Sequence, residues 1–287
     1  MNKGIEVKFT KKQMNTTSAN KDLPRFGITL SGGGARGIAH IGVLEALEKY
    51  GIKPRVISGT SMGAIVGVFY AAGYPPKDLL KVLLERKFHK MVNWHKPFSG
   101  LIDMDKVNDL LKEVIGKDDF SSLKMPFYCA VTNLNSGLVE IKSEGELFKW
   151  VVASASIPVV FEPQVIDGQT YVDGGLLNNL PAESIRDECQ FLIGVHVNHN
   201  GPEEDVKGLK TVAERAFRLG IAQNVEKSKV LCDFYIEPPD ARNYSTFAFN
   251  KAEEIYEVGF NETEKKLRDL FNDIDLDKVT KLMEKSD

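Results

Sequence analysis

Apolar residues recur along this chain in two rhythms. Short β-branched and aromatic runs at Phe26 to Ser31, Arg55 to Ser58, Phe127 to Asn133, Gln190 to Val197 and Asp233 to Glu237 read as strands. Between them, apolar positions fall at helical spacing near Gly37 to Tyr50, Ala64 to Ala72, Pro76 to Lys87, Asp105 to Ile115, Glu146 to Ala155, Lys207 to Lys229 and Lys251 to Leu270. Strands alternating with helices are the grammar of an α/β fold. The strand runs are apolar almost throughout, so the expected sheet is central and covered on both faces.

Neither a repeat nor an interdomain linker interrupts this pattern, which predicts one domain over residues 25–272. Residues 1–24 are polar and read as a flexible arm, residues 273–287 as a C-terminal tail, and Asn198 to Asp205 as an exposed acidic loop. Trp94 to Ile102 is rich in large apolar groups without helical period. Two readings of it stay open: a loop packed on the core, and a mobile cover or lid formed by residues 88–102 over an apolar pocket.

At 287 residues and 43% hydrophobic content the chain can bury one sizeable core. Its 37 basic and 40 acidic side chains give a net charge of -3, too little positive field to make nucleic acid an expected partner. Cys129, Cys189 and Cys232 lack metal or redox spacing and are expected to be buried, reduced thiols. No apolar stretch before Arg25 has signal-peptide length, and no window reaches the roughly 20 apolar residues that span a bilayer. A cytoplasmic, soluble protein is expected.

The chemistry is concentrated in a few loops. Gly59-Thr60-Ser61-Met62-Gly63 follows a strand and opens an apolar helix, the setting of a nucleophilic serine in a sharp elbow. The supporting glycines Gly59 and Gly63 let the backbone turn tightly and leave room beside Ser61, and an oxyanion there would feel the positive end of the following helix. Upstream, the first strand runs into Gly32-Gly33-Gly34-Ala35-Arg36-Gly37, whose successive bare amides make an anion cradle. These letters also fit a dinucleotide fingerprint. That reading lacks its acid about twenty residues on, where Ser58 to Ser61 stand instead, and no Gly-Lys-Ser/Thr follows to make a phosphate-binding loop.

A serine needs a base. Asp173, in Tyr171-Val172-Asp173-Gly174-Gly175, is the best candidate, with an ordinary Asp-Gly turn as the bland alternative. His196 and His199 follow in the order of a Ser-Asp-His triad. However, His196 lies in an apolar run and His199 in a polar loop, which favours a structural role for both. His40, His89 and His95 lack metal-ligand spacing, so no metal or other cofactor is expected.

Together, Gly32 to Gly37, Gly59 to Gly63, Ala153-Ser154-Ala155-Ser156-Ile157-Pro158 and Asp173-Gly174-Gly175 resemble, in order and spacing, the four signature blocks of the patatin-like phospholipases over residues 25 to 270. The resemblance implies a three-layer α/β/α sandwich with a mainly parallel sheet and a Ser61-Asp173 dyad. It also implies an oxyanion loop of Gly32, Gly33 and Gly34 with Arg36 orienting that loop or assisting charge stabilisation, and the Pro158 block and Gly174 and Gly175 in support. The expected activity is lipid acyl hydrolysis of phospholipase A, lysophospholipase or carboxylesterase type, with a lipid or acyl-ester partner and transient contact with a membrane surface. A histidine-dependent α/β-hydrolase and a noncatalytic lipid-binding module are the rivals, a nicotinamide oxidoreductase the remotest.

Overall fold

The computed structural model describes residues 25–85, 104–158, 160–198 and 206–272. The arm at 1–24, the segment 88–102 with His89, Trp94 and His95, residues 199–205 of the expected acidic loop with His199, and the tail at 273–287 lie outside the described residues. Each strand expected from the sequence forms: β1 (Phe26–Leu30), β2 (Val56–Gly59), β3 (Phe127–Asn133), β7 (Phe191–Val195) and β8 (Phe234–Ile236). They pair in parallel in the order β3-β2-β1-β7-β8. Antiparallel to β3 run β4 (Leu138–Lys142) and β6 (Gln169–Asp173), and β5 (Gln164–Ile166) pairs with β6. β4 and β5 are not among the expected strands; β4 is partly exposed with mixed polarity, and β5 has only three residues.

Side chains alternate across a strand, so neighbours that are both buried require cover on both faces. Ile57 and Ile193 belong to the main core, while Val56 and Leu192 beside them belong to a separate cluster with Ala182, Ile185 and Cys189. The first face is covered by α1 (Ala39–Lys49), α2 (Met62–Ala71) and α7 (Ala252–Asn272), which contribute Ile41, Leu44, Ile65, Val68, Ile255 and Leu267. Each such fully buried Leu or Ile contributes about 1.5–3 kcal/mol relative to exposure. Beyond the second face, α6 (Leu209–Lys229) packs Ile221 and Val225 on Leu180. α3 (Pro76–Glu85), α4 (Met104–Ile115) and α5 (Phe148–Ser154) complete the helices among the described residues, and none of the seven is long and apolar enough to cross a membrane. The layered α/β/α arrangement expected from the sequence is therefore present.

Register brings two distant segments together. Cys129 of β3 pairs with both Gly59 and Lys142, and Val131 with both Glu140 and Asp173. Because a strand has two edges, β4 occupies one of them from Cys129 to Asn133 and β2 and β6 share the other in succession. β2 runs parallel to β3 and ends opposite Cys129; β6 runs antiparallel and ends opposite Val131. Their C-terminal tips therefore meet head on over Ala130, and both chains must leave the sheet there.

Candidate active site

Leaving the sheet from β2, the chain turns at Ser61, which adopts φ 57 and ψ -125 immediately before α2. A non-glycine residue at such φ is strained by about 1–3 kcal/mol and persists only where its surroundings hold it. Several contacts do so. The Ser61 amide donates to Ser154 Oγ at 2.9 Å, and that hydroxyl donates to the Ala130 carbonyl at 2.7 Å, tying the elbow to the residue over which the two tips meet. A Cβ at Gly63 would stand 2.3 Å from the Leu30 carbonyl oxygen, and one at Gly59 2.5 Å from that of Gly63, so the elbow can close only with glycine at both places. Every residue of α2 is buried, and its positive end points at the Ser61 turn.

From the other tip, Asp173 keeps ordinary backbone angles (φ -46, ψ 127) and accepts the Gly175 amide at 2.7 Å across a short 3-10 turn, Gly174–Leu176. Gly174 passes so near Ala130 that a Cβ would lie 2.3 Å from its carbonyl oxygen. The carboxyl lines the same cavity as Ser61. Burial pushes its pKa up from the ordinary carboxylate range to about 7, with the nearby Ser61 side chain and the Gly175 amide offsetting part of the rise. The segment that follows is laced back to the elbow: Ser58 Oγ donates to the Pro181 carbonyl and Thr60 Oγ1 to that of Asn178, each at 2.9 Å.

The glycine loop forms the third wall. Gly32 abuts both Ser61 and Asn179, where a Cβ would fall 3.0 Å from Ser61 Cβ and 2.6 Å from Asn179 Oδ1. Its amide donates to the Asn179 carbonyl at 3.2 Å and is thereby engaged. The amides of Gly33 and Gly34 meet no acceptor among the described residues, and both line the cavity that Ser61 and Asp173 share. They are the donors available to an oxyanion. Arg36 is buried and does not line that cavity: its Nε donates to the Tyr244 carbonyl at 2.7 Å and Nη1 to Asn198 Oδ1 at 3.3 Å.

The Ser61 hydroxyl sits where two hollows join. One is walled by Gly33, Asn179, Val160, Arg218 and Ile221; the other, almost wholly apolar, by Met62, Ile65, Met104, Val107 and Phe161. Thr246 and Phe247 border both.

The histidines stand elsewhere. His40 is fully buried behind the glycine loop, donates through Nε2 to the Ser31 carbonyl at 2.8 Å, and is kept neutral by burial, its pKa lowered to about 4. His196 points Nδ1 at Glu237, 3.2 Å away, and does not line the Ser61 cavity. All three cysteines are free thiols, Cys129 and Cys189 buried and Cys232 half-buried; burial pushes the Cys129 pKa up to about 12. No cluster that could hold a metal occurs among the described residues.

Two polar residues of the site lie outside the four blocks: Asn179 in the cavity wall, and Asn198, which lines the cavity beside Gly32, while Ser154 under the elbow belongs to the block from Ala153 to Pro158. The signal for Asn198 is topological, since ligand sites in α/β sheets gather beyond the C-terminal ends of parallel strands.

The family model described as patatin-like phospholipase matches residues 28–185, a span holding the glycine loop, the elbow and Asp173. Lysophospholipase NTE1 of Saccharomyces cerevisiae is 31% identical over 269 residues, which is 81% of this chain and 16% of that protein. Its counterpart in Kluyveromyces lactis is 30% identical over 270 residues, 82% of this chain and 18% of the relative. The chain thus spans less than a fifth of these relatives' length. The structure of human GIVD cytosolic phospholipase A2 aligns with 85% of this chain and 59% of its own, at TM-score 0.46 and 12% identity. With more than half of its length matched by the family model, and with the four blocks folded around one cavity, the chain belongs to the patatin-like phospholipase family.

Proposed function

We propose that the chain hydrolyses carboxylic ester bonds of lipids through an acyl-enzyme on Ser61, with Asp173 as the base. The observation that carries this reading is a buried carboxyl, its pKa raised to about 7, that lines one cavity with Ser61 beside two unengaged amides. A carboxylate with an ordinary pKa is a feeble base near neutrality; one near 7 is matched to the operating pH. Asp173 takes the Ser61 proton as Oγ attacks the ester carbonyl, and the amides of Gly33 and Gly34 receive the oxyanion. Collapse returns the proton to the departing alcohol. Water then attacks the acyl-enzyme, losing its proton to Asp173, and the fatty acid leaves with Ser61 restored.

The relatives' printed name, lysophospholipase, and the apolar hollow beside Ser61 support a single-chain lipid ester as substrate. Such a substrate brings the protein to a membrane surface. A hydrolysis screen of lysophospholipids, diacyl phospholipids and simple acyl esters, with Ser61→Ala as control, tests the reading together with fluorophosphonate labelling. Labelling at Ser61 and turnover lost in Ser61→Ala are expected; lipid binding without labelling or turnover would make the protein a carrier. The histidine-dependent rival is tested by His196→Ala, for which turnover within about twofold of wild type is expected because His196 faces Glu237. Loss of activity in a folded His196→Ala variant would restore that rival.

A further inference from the structure

Resting on that reading, we propose that Asn198 is a positioning residue of the oxyanion site: it grips the Gly32 carbonyl and thereby aims the Gly33 amide at the carbonyl Ser61 attacks. A trans peptide unit is planar, with its C=O and N–H pointing in opposite directions. The carbonyl of Gly32 and the amide of Gly33 are the two ends of one such plane, so whatever holds the first sets the direction of the second. Asn198 Nδ2 donates to the Gly32 carbonyl at 2.7 Å. On the same amide head, Oδ1 accepts from Arg36 Nη1 at 3.3 Å, which fixes which end of the side chain faces the loop. Arg36 is itself held by the Tyr244 carbonyl.

A second grip comes from Ser31, whose hydroxyl donates to the Gly32 carbonyl at 3.0 Å and accepts the Val197 amide at 3.1 Å. Gly33 fits against this assembly closely: a Cβ there would lie 2.5 Å from Val197 Cγ2 and 3.1 Å from Asn198 Oδ1. Both carbonyl grips run through the segment just after β7, and the opposite edge of the peptide is left for the cavity in which Ser61 stands. Arg36 then acts on catalysis at one remove, through Asn198, without touching the oxyanion. Asn198 is 7% exposed, so loss of its bonds cannot be made good freely by solvent.

The test compares wild type with Asn198→Ala and Asn198→Asp. The aspartate is isosteric and keeps the acceptor for Arg36, but it turns an oxygen toward the Gly32 carbonyl. Full loss of an oxyanion donor costs about 10²- to 10³-fold in rate, and with Ser31 still holding the peptide a fall in kcat of about 10- to 30-fold is expected, with KM within about twofold. A merely structural role would not distinguish states of the substrate. Affinity is therefore measured for an acyl trifluoromethyl ketone, which forms an oxyanion on Ser61, and for the matching carbinol, which does not. The ketone should weaken about 10-fold and the carbinol should not. Turnover within twofold of wild type in either folded variant, or equal weakening of both ligands, overturns the proposal. Failure of wild type itself to be labelled or to turn over would instead remove the reading on which it rests.

Discussion

The two turns that meet over Ala130 hold their reactive groups by opposite means. At the elbow the cost lies in the backbone: Ser61 stands at φ 57 with an uncharged side chain, locked by Ser154 and by the close packing at Gly59 and Gly63. In the acid turn the backbone is relaxed and the cost is electrostatic, a carboxyl buried until its pKa reaches about 7. On the mechanism proposed above, the difference follows from what each group must do. A neutral hydroxyl cannot be aimed by fields before reaction begins, so geometry has to aim it; a base has to be made stronger, and removing water does that.

The sharpest way to break the comparison is Asp173→Asn, which leaves the backbone alone and deletes the electrostatic cost. Turnover is expected to fall about 10⁴-fold, as for a missing triad member, and wild-type kcat/KM to rise with pH through about 7 as the base ionises. Stability should move the other way. The folded pKa lies above the ordinary value of 3.8, so the native state keeps a proton that the unfolded chain has released between about pH 4 and 7. Wild type therefore loses stability as pH rises through that window, while the asparagine variant does not. Above pH 7 the variant should be the more stable by on the order of 1–4 kcal/mol in denaturant titrations. A variant less stable than wild type at pH 8 would mean that the carboxylate is well satisfied there and the electrostatic half of the contrast is wrong.

The same contrast governs what the sequence discloses. The elbow is legible because a strained nucleophile forces its neighbours to be glycine, leaving Gly59 and Gly63 flanking Ser61 in a strand-to-helix context. The acid turn is not legible locally, since Asp173-Gly174 is indistinguishable from a common turn; desolvation is a property of tertiary packing and leaves no pattern. The strands divide likewise. β1, β2, β3, β7 and β8 lie in the buried parallel part and read as apolar runs, whereas β4 and β5 sit at the antiparallel corner with partly exposed residues. Their turns carried a signal nonetheless: Asp167-Gly168, both at positive φ, is the two-residue turn that joins β5 to β6, and Gly137 at φ 70 precedes β4. Asn198 was beyond reach, because it bonds a partner more than 160 residues away, whereas Ser154 stands in the block that the resemblance marks as supporting the site.

The smallest effect tests the backbone half of the contrast. Ser61→Ala and Ser61→Gly delete the same hydroxyl and the same influence on Asp173, so their difference in stability isolates the Cβ at φ 57. In ordinary helix or strand backbone glycine is the less stable of the pair by about 0.5–1 kcal/mol, because the unfolded chain gains more freedom. At this position the sign should reverse. Relief of about 1–3 kcal/mol of strain outweighs that entropy, which leaves Ser61→Gly more stable than Ser61→Ala by about 1 kcal/mol. Ala64→Gly, three residues on in regular helix, supplies the normal sign as an internal control. Equal stability, or an advantage for alanine at position 61, would show that the elbow stores no strain and that the nucleophile is held by side-chain packing alone.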